Sequence, residues 1–535
     1  MKKLRIGSFD LRVGATFLIR ENMSNSALTN KTLKNASYSF ISYGWGLIFA
    51  LFITPIIVFK LGVDNYGVYI FVGVVGSIAG LIDLGLSTAI YKYMAEYIGS
   101  NNKEKLSNLI KISNTLFLII GVIGFVLLSL IGIFGNVFIS NSTMLIYDIK
   151  IIFIIIGLIF FINAANSSFT IIPRALQRFD ITTKVGFFTT ALPSLSILLV
   201  VSLNMGIKEI FIVQLFFSAI FSFLYYSISR KLLPIAKYHF SWKKLEIKKI
   251  YKFGFAAFIS NFSGQTLSYF DKLIIPIFIN PASLSYYSLP GSVASKSNGV
   301  LGSISSILFP VVSTLQGEKN NESIKNLYIR SFRLTTVLNA AITFSICFLS
   351  YEIMRYWLDE SFAQKAGKIL LILSITYFFV SIYDQAFNFL LGLGKSKILA
   401  KFSFVMASIN VILLFVLLPK YGIMGAAIAY LISLLSVIYI IYYIERKVLL
   451  LSGRLLFYIK FYSKIIFVGL ILYLISIIFI KPSIVDFKSL MFFGPLSVII
   501  YLTLFRIFNF YERQDLDSLN KFKIIILNRF KIKKI

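Results

Sequence analysis

The sequence predicts an all-α polytopic membrane protein of about 14 transmembrane helices. They form two six-helix lobes related by a pseudo-two-fold axis along the membrane normal, with two more helices at the C-terminus. Three observations carry this. The 535 residues are 58% hydrophobic with a mean hydropathy of +0.84, more apolar sequence than a soluble globule can bury. The apolar residues come in runs of the length that a hydrocarbon core requires. The charge, 53 Lys and Arg against 22 Asp and Glu, is concentrated in alternate loops.

The apolar spans lie at 38–59, 66–89, 113–138, 148–172, 185–204, 208–229, 253–279, 285–312, 331–350, 366–392, 399–418, 423–443, 462–480 and 489–507. The first contains Gly44, Gly46 and Pro55, which membrane helices tolerate where neighbours satisfy the freed backbone. The second follows the polar turn Val63-Asp64-Asn65-Tyr66-Gly67 and carries Gly73, Gly76, Gly80, Gly85 and the carboxylate Asp83. Small residues allow close helix approach, and an acid at membrane depth must face protein or water, so this helix looks inward. Span four ends in the polar patch Asn163-Ala164-Ala165-Asn166-Ser167-Ser168, followed by Arg174, Arg178 and Lys184. Span seven carries Asn261, Gln265, Asp271 and Lys272; span eight carries Lys296 and Asn298; span ten carries Asp384, Gln385 and Asn388. Spans nine, thirteen and fourteen are largely apolar and read as lipid-facing.

The organisation is thus a basic tail at 1–36, an N-lobe at 37–230, a basic interlobe loop at 231–252 and a C-lobe at 253–447. Two further helices follow at 448–507, and a second basic tail at 508–535. Faint repeats support the lobes: Pro55 and Tyr66 bracket the first turn of one half as Pro276 and Tyr287 bracket that of the other. Both halves start from the same side, which makes the repeat parallel. An orientation with both termini in the cytoplasm places most Lys and Arg inside, as the positive-inside rule requires. The basic charge is therefore a topology signal and a contact for membrane lipids, not a nucleic-acid patch. The polar N-terminal tail lacks the apolar core of a cleavable signal peptide.

Catalytic chemistry finds little support. One cysteine, Cys347, and one histidine, His239, leave no disulfide framework and no His/Cys metal site. There is no phosphate-cradling GxxxxGK[ST], and the outer loops are too short for a catalytic platform. The expectation is a transporter rather than an enzyme, without cofactor. What remains is a polar lining within the bilayer: Asp83, Asp271, Lys272, Lys296 and Asp384, each costing about 2.5–3.5 kcal/mol to insert. These charges either pair for structural reasons or face a wet chamber whose cations hold an anionic headgroup. Lys296, placed near mid-membrane, is the leading candidate for function. Asn261, Gln265 and Asn388 extend the lining, and Arg174 and Arg178 stand at the cytoplasmic mouth.

The stretch LGVDNYGVYIF…LIDLGLSTAIYKYMAEY resembles the first-lobe signature of Wzx-like polysaccharide flippases of the multidrug/oligosaccharidyl-lipid/polysaccharide exporter superfamily. YFDKLIIPIFINPASLSYYSLPGSV resembles the matching second-lobe stretch, and LLGLGKSKILAKFSFVMASINVILLFVLLPKYGIMGAAIAYLIS the family's helices eleven and twelve. The resemblance implies alternating access and a cargo of undecaprenyl-pyrophosphate-linked oligosaccharide, flipped across a bacterial cytoplasmic membrane for O-antigen, capsule or another surface glycan. It also implies a polysaccharide polymerase or assembly proteins as candidate partners. Two related transport functions stay open: a cation-coupled drug or metabolite antiporter using Asp83 or Asp384, and a lipid II flippase. The latter relatives carry arginines in their first helix, where this chain has no charge between Lys34 and Lys60.

Overall fold

The structure, a computed structural model, describes residues 50–134, 146–305, 308–451 and 453–512. Among them the chain is helical, without strands. Within the described residues each predicted span is largely helical, the first from residue 50 onward. The tail at 1–36 and most of that at 508–535 lie outside the described residues.

The first half comprises α1 (Ala50–Leu61), α2 (Val63–Ala79), α3 (Leu86–Gly99), α4 (Lys103–Ile133), α5 (Ile146–Ala175), α6 (Phe179–Ser202) and α7 (Ile207–Leu232). The second comprises α8 (Lys244–Phe278), α9 (Pro281–Ser305), α10 (Leu308–Gly317), α11 (Asn321–Phe348), α12 (Ser350–Trp357), α13 (Glu360–Gly392), α14 (Ser396–Leu435) and α15 (Val437–Tyr443). Two more follow, α16 (Leu455–Ile475) and α17 (Phe487–Ile507). α14 is two passes merged: Gly422 sits at φ 57°, ψ −145°, where the chain reverses between predicted spans eleven and twelve. Several helices overrun their apolar spans at the basic end, because hydropathy detects greasy length and not helix. α4 thus takes in Lys103, Lys105 and Lys111, and α8 begins at Lys244.

α5 is the hub of the first half, packed on α4, α7 and α3. In the second half α9 and α13 form the central pair, flanked by α8, α11 and α14. α16 and α17 pack on α11, where Phe344 meets Tyr501, whose hydroxyl donates to the Ile465 carbonyl at 3.0 Å. The halves meet chiefly through α2 against α9, with α8 against α2 and α3. α2 and α9 are the second helices of their halves, so equivalent elements face each other, as a parallel two-fold arrangement places them.

Two expectations need correction. The second span is not one continuous helix: α2 stops at Ala79, a 3₁₀ turn covers Gly80–Asp83, and Leu84 and Gly85 take left-handed φ of 48° and 78° before α3 begins. Also, residues 231–252 are not one loop, since 231–232 close α7 and 244–252 already belong to α8. The short linker that remains is strapped to the first half. Asn114 donates to the carbonyls of Lys237 (2.9 Å) and His239 (3.2 Å), and Thr115 exchanges hydrogen bonds with Ser241. The Tyr238 ring packs on Phe169 and Tyr226, and its hydroxyl reaches Asn166 at 3.3 Å. The polar patch of span four is therefore spent on internal bonds, including Ser168 with Ser113 at 2.9 Å and Ser218 with Asn163 at 2.9 Å. Facing lipid it would have left those groups unsatisfied.

Candidate functional site

α8 and α9 are long enough to cross a bilayer yet are not among the ten apolar stretches that qualify on hydropathy. They are the polar helices of the second half, and most of the predicted lining sits on them. Helices of that character must face protein or water.

The two halves touch near both ends of the second span. At its N-terminal end the Ser285 hydroxyl donates to the Val63 carbonyl at 2.7 Å, and a Cβ built on Gly67 would overlap the Pro281 carbonyl. Nearby, the Trp357 indole N–H donates to the Leu51 carbonyl at 2.8 Å. At the basic end Gly85 and Gly254 are in backbone contact: a Cβ on Gly254 would lie 2.9 Å from the Gly85 oxygen, and one on Gly85 would overlap the Gly254 carbonyl. Phe253 meets Tyr93 edge-on at 6.1 Å, with the Lys92 ammonium 4.2 Å from the Phe253 ring. Gly67 and Gly85 are eighteen residues apart, near opposite ends of the second span.

Lys296 lies between these closures, fifteen residues or about 22 Å along α9 from Pro281. It follows Ser285 by eleven residues, close to three full turns, so it shares the α9 face that meets α2. It is half-buried. Asn298, two residues on, points the other way: its amide donates to Asp384 at 2.9 Å and its carbonyl accepts from Ser381 at 3.0 Å. Asn388 turns back on its own helix, donating to the Asp384 carbonyl at 2.8 Å. Asp384 is thus tied into the α9–α13 seam.

Asp271 is 4% exposed. Its carboxylate accepts from the Lys272 amide at 2.7 Å and from the hydroxyl of Tyr287, itself 2% exposed. The Lys272 ammonium leaves that cluster and stands 5.4 Å from the Tyr269 ring. Gln265, six residues before Asp271, is half-buried with its side-chain oxygen enclosed and unbonded among the described residues. The side chain of Asn261 lies outside the described residues. Asp83 accepts from the Ser87 amide with both oxygens, at 3.1 and 3.2 Å, and so closes the first turn of α3. Asp83→Ala should cost about 1 kcal/mol through this lost cap, read as a lowered unfolding midpoint, and Asp83→Asn should retain most of it. Arg174 is exposed at the end of α5. Arg178 is exposed and forms a two-pronged pair with Asp180, both contacts at 3.0 Å, which holds the guanidinium above its ordinary pKa.

The structure therefore joins Asp384 with Asn298, and Asp271 with Tyr287, but keeps the arginines and Asp83 apart from both. It also shows a cavity of about 330 Å³ between α2, α5 and α7. Gly73 and Gly76 open it, while Tyr69, Ser77 and Gln214 supply polar groups. The sequence reading had the glycines, but Tyr69 and Gln214 passed unnoticed among similar aromatic and amide residues.

Comparison with known proteins places this architecture. Residues 61–367 match the profile of a family described as polysaccharide biosynthesis protein. The chain is 23% identical over 407 residues to the Shigella flexneri protein named "Putative O-antigen transporter", covering 74% of this chain and 94% of that one. It is 24% identical over 198 residues to the Haloferax volcanii protein named "Probable low-salt glycan biosynthesis flippase Agl15", covering 36% and 42% respectively. Its fold is similar to that of lipid II flippase MurJ in an inward closed conformation (TM-score 0.68, 16% identity, 90% of this chain and 100% of that one). It is also similar to an inward-facing MATE-family multidrug resistance transporter of the MOP superfamily (TM-score 0.62, 15% identity, 74% and 93%).

Proposed function

The chain belongs to the polysaccharide biosynthesis protein family, and on that footing we propose that it flips undecaprenyl-pyrophosphate-linked oligosaccharide from the inner to the outer leaflet of a bacterial cytoplasmic membrane by alternating access. Relatives named as an O-antigen transporter and a glycan flippase support the cargo class. It is a multi-pass membrane protein whose basic end, with both termini, we place in the cytoplasm. Its task is movement, with no covalent step assigned to it.

The observation that carries this reading is the position of Lys296. A half-buried cation stands on the α9 face turned to the other half, between the Gly67–Pro281 and Gly85–Gly254 contacts. A pyrophosphate cannot enter hydrocarbon without something replacing its water, and a lysine in a low-dielectric gap supplies that charge. The glycan needs a polar path, and the polar faces of α8 and α9 provide one, while the prenyl chain stays in lipid. We read the contacts near both ends of the second span as an occluded intermediate. Opening the basic end admits a headgroup, and opening the other releases it.

Lys296→Ala should reduce surface-glycan export by about tenfold or more while leaving the amount of inserted protein unchanged, and Lys296→Arg should retain a substantial part of the activity. The measurement is export of a defined lipid-linked donor in cells lacking the native protein. Wild-type export by Lys296→Ala would remove this lysine from the mechanism.

A further inference from the structure

A basic cavity lies away from the contact between the halves, against α11. It has a volume of about 160 Å³ and is enclosed by α11, α16 and the residues just past α17. Lys460 and Lys464, one turn apart on α16, face it together with Arg333 of α11. Phe457, Phe461 and Phe505 form its apolar wall, and the Lys464 ammonium stands 5.3 Å from the ring of Phe510. The Arg333 side chain is 8% exposed, and its guanidinium pairs with the carboxylate of Glu512. Among the described residues Lys460 and Lys464 form no ion pair.

The cavity lies at the basic end. Lys460 and Lys464 fall in the first three turns of α16, and Phe505 falls in the last turn of α17. Arg446, Lys447 and Arg454 come from the adjoining connection, where Arg454 contacts Glu445 at 3.5 Å. A pocket with a buried guanidinium, two ammonium groups, an aromatic wall and a depth near the interface has the chemistry of a phosphate site open to lipid. Glu512 already shows that an anion is accepted there. Its side chain is 53% exposed, so it is placed to swing out when another anion enters.

We propose that this cavity binds the phosphate-bearing headgroup of an anionic lipid of the inner leaflet, with Arg333, Lys460 and Lys464 as its ligands and Glu512 as a competing internal anion. The site is separate from Lys296 and is tested without any transport readout, so its failure would leave the proposed function untouched.

The test measures lipid retention by the purified full-length chain in detergent, using native mass spectrometry with phosphatidylglycerol, phosphatidylcholine or inorganic phosphate added separately. Phosphatidylglycerol should be retained and phosphatidylcholine should not. The double variant Lys460→Gln/Lys464→Gln should weaken retention about twentyfold, Lys460→Arg/Lys464→Arg should preserve it, and Glu512→Gln should strengthen it. Binding of inorganic phosphate with the same lysine dependence, but not of phosphatidylglycerol, would support the anion chemistry and overturn the lipid as its source. Equal retention by wild type and the folded glutamine double variant, or no binding of either probe, would overturn the site. Should the double variant not fold, Glu512→Gln decides: unchanged or weaker retention overturns the proposal.

Discussion

Replacing Gly67 with leucine should hold the N-terminal end of α2 away from α9 and lower export by about a hundredfold. A side chain there would overlap the Pro281 carbonyl, which is backbone and cannot rotate aside. The halves must separate locally, breaking the Ser285 hydrogen bond to the Val63 carbonyl. A transporter that cannot close one end cannot safely open the other, because its access states are linked populations. A bias of about 3 kcal/mol between the two conformers already shifts their ratio more than a hundredfold. Gly85→Leu should produce the mirror image, holding the basic end apart against the Gly254 carbonyl, with added strain from its φ of 78°. Thiol labelling distinguishes the two. The one native cysteine, Cys347, is buried, so a Ser285→Cys reporter should react with a membrane-impermeant maleimide faster in Gly67→Leu and no faster in Gly85→Leu. Equal labelling in all three backgrounds would show that these glycines do not govern closure.

The second large effect concerns Asp271 and Tyr287. Removing the hydroxyl in Tyr287→Phe leaves the buried Asp271 carboxylate with the Lys272 amide alone, and losing a hydrogen bond to a charged group costs about 1.5–3 kcal/mol. Asp271→Asn leaves Tyr287 an acceptor and should cost less than Tyr287→Phe. The double variant Asp271→Asn/Tyr287→Phe should be more stable than Tyr287→Phe alone, since an unpaired amide is cheaper to bury than an unpaired carboxylate. Unfolding midpoints in one detergent measure the cycle. A double variant destabilised by the sum of the two singles would mean that Asp271 and Tyr287 are not coupled.

Much of the fold is legible in the sequence because a bilayer leaves few solutions, and apolar length gives the spans. The breaks are less legible. Leu84 and Gly85 interrupt the second span by adopting left-handed backbone, and the apolar residues around them hide the change. Helix ends were misplaced at the basic side for the opposite reason, since Lys103–Lys111 and Lys244–Lys252 are helical yet polar. For the candidate site, residue types pointed to α8 and α9 but not to partners. Asp83 looks like cavity lining in sequence, and only the position of the Ser87 amide shows it to be a cap. Gly67 and Gly254 gave no comparable signal, because what makes them necessary is a backbone from the other half.

The strap between α7 and α8 bears on how the molecule could be divided. Asn114 and Thr115 clasp the chain from Lys237 to Ser241, so this segment travels with the first half although it precedes the second in order. Fragments for split expression, or chimeras exchanging halves with a relative, should be joined after Trp242. A cut at Arg230, which the charge pattern would suggest, would tear the ribbon from its seat and expose the polar floor beneath it.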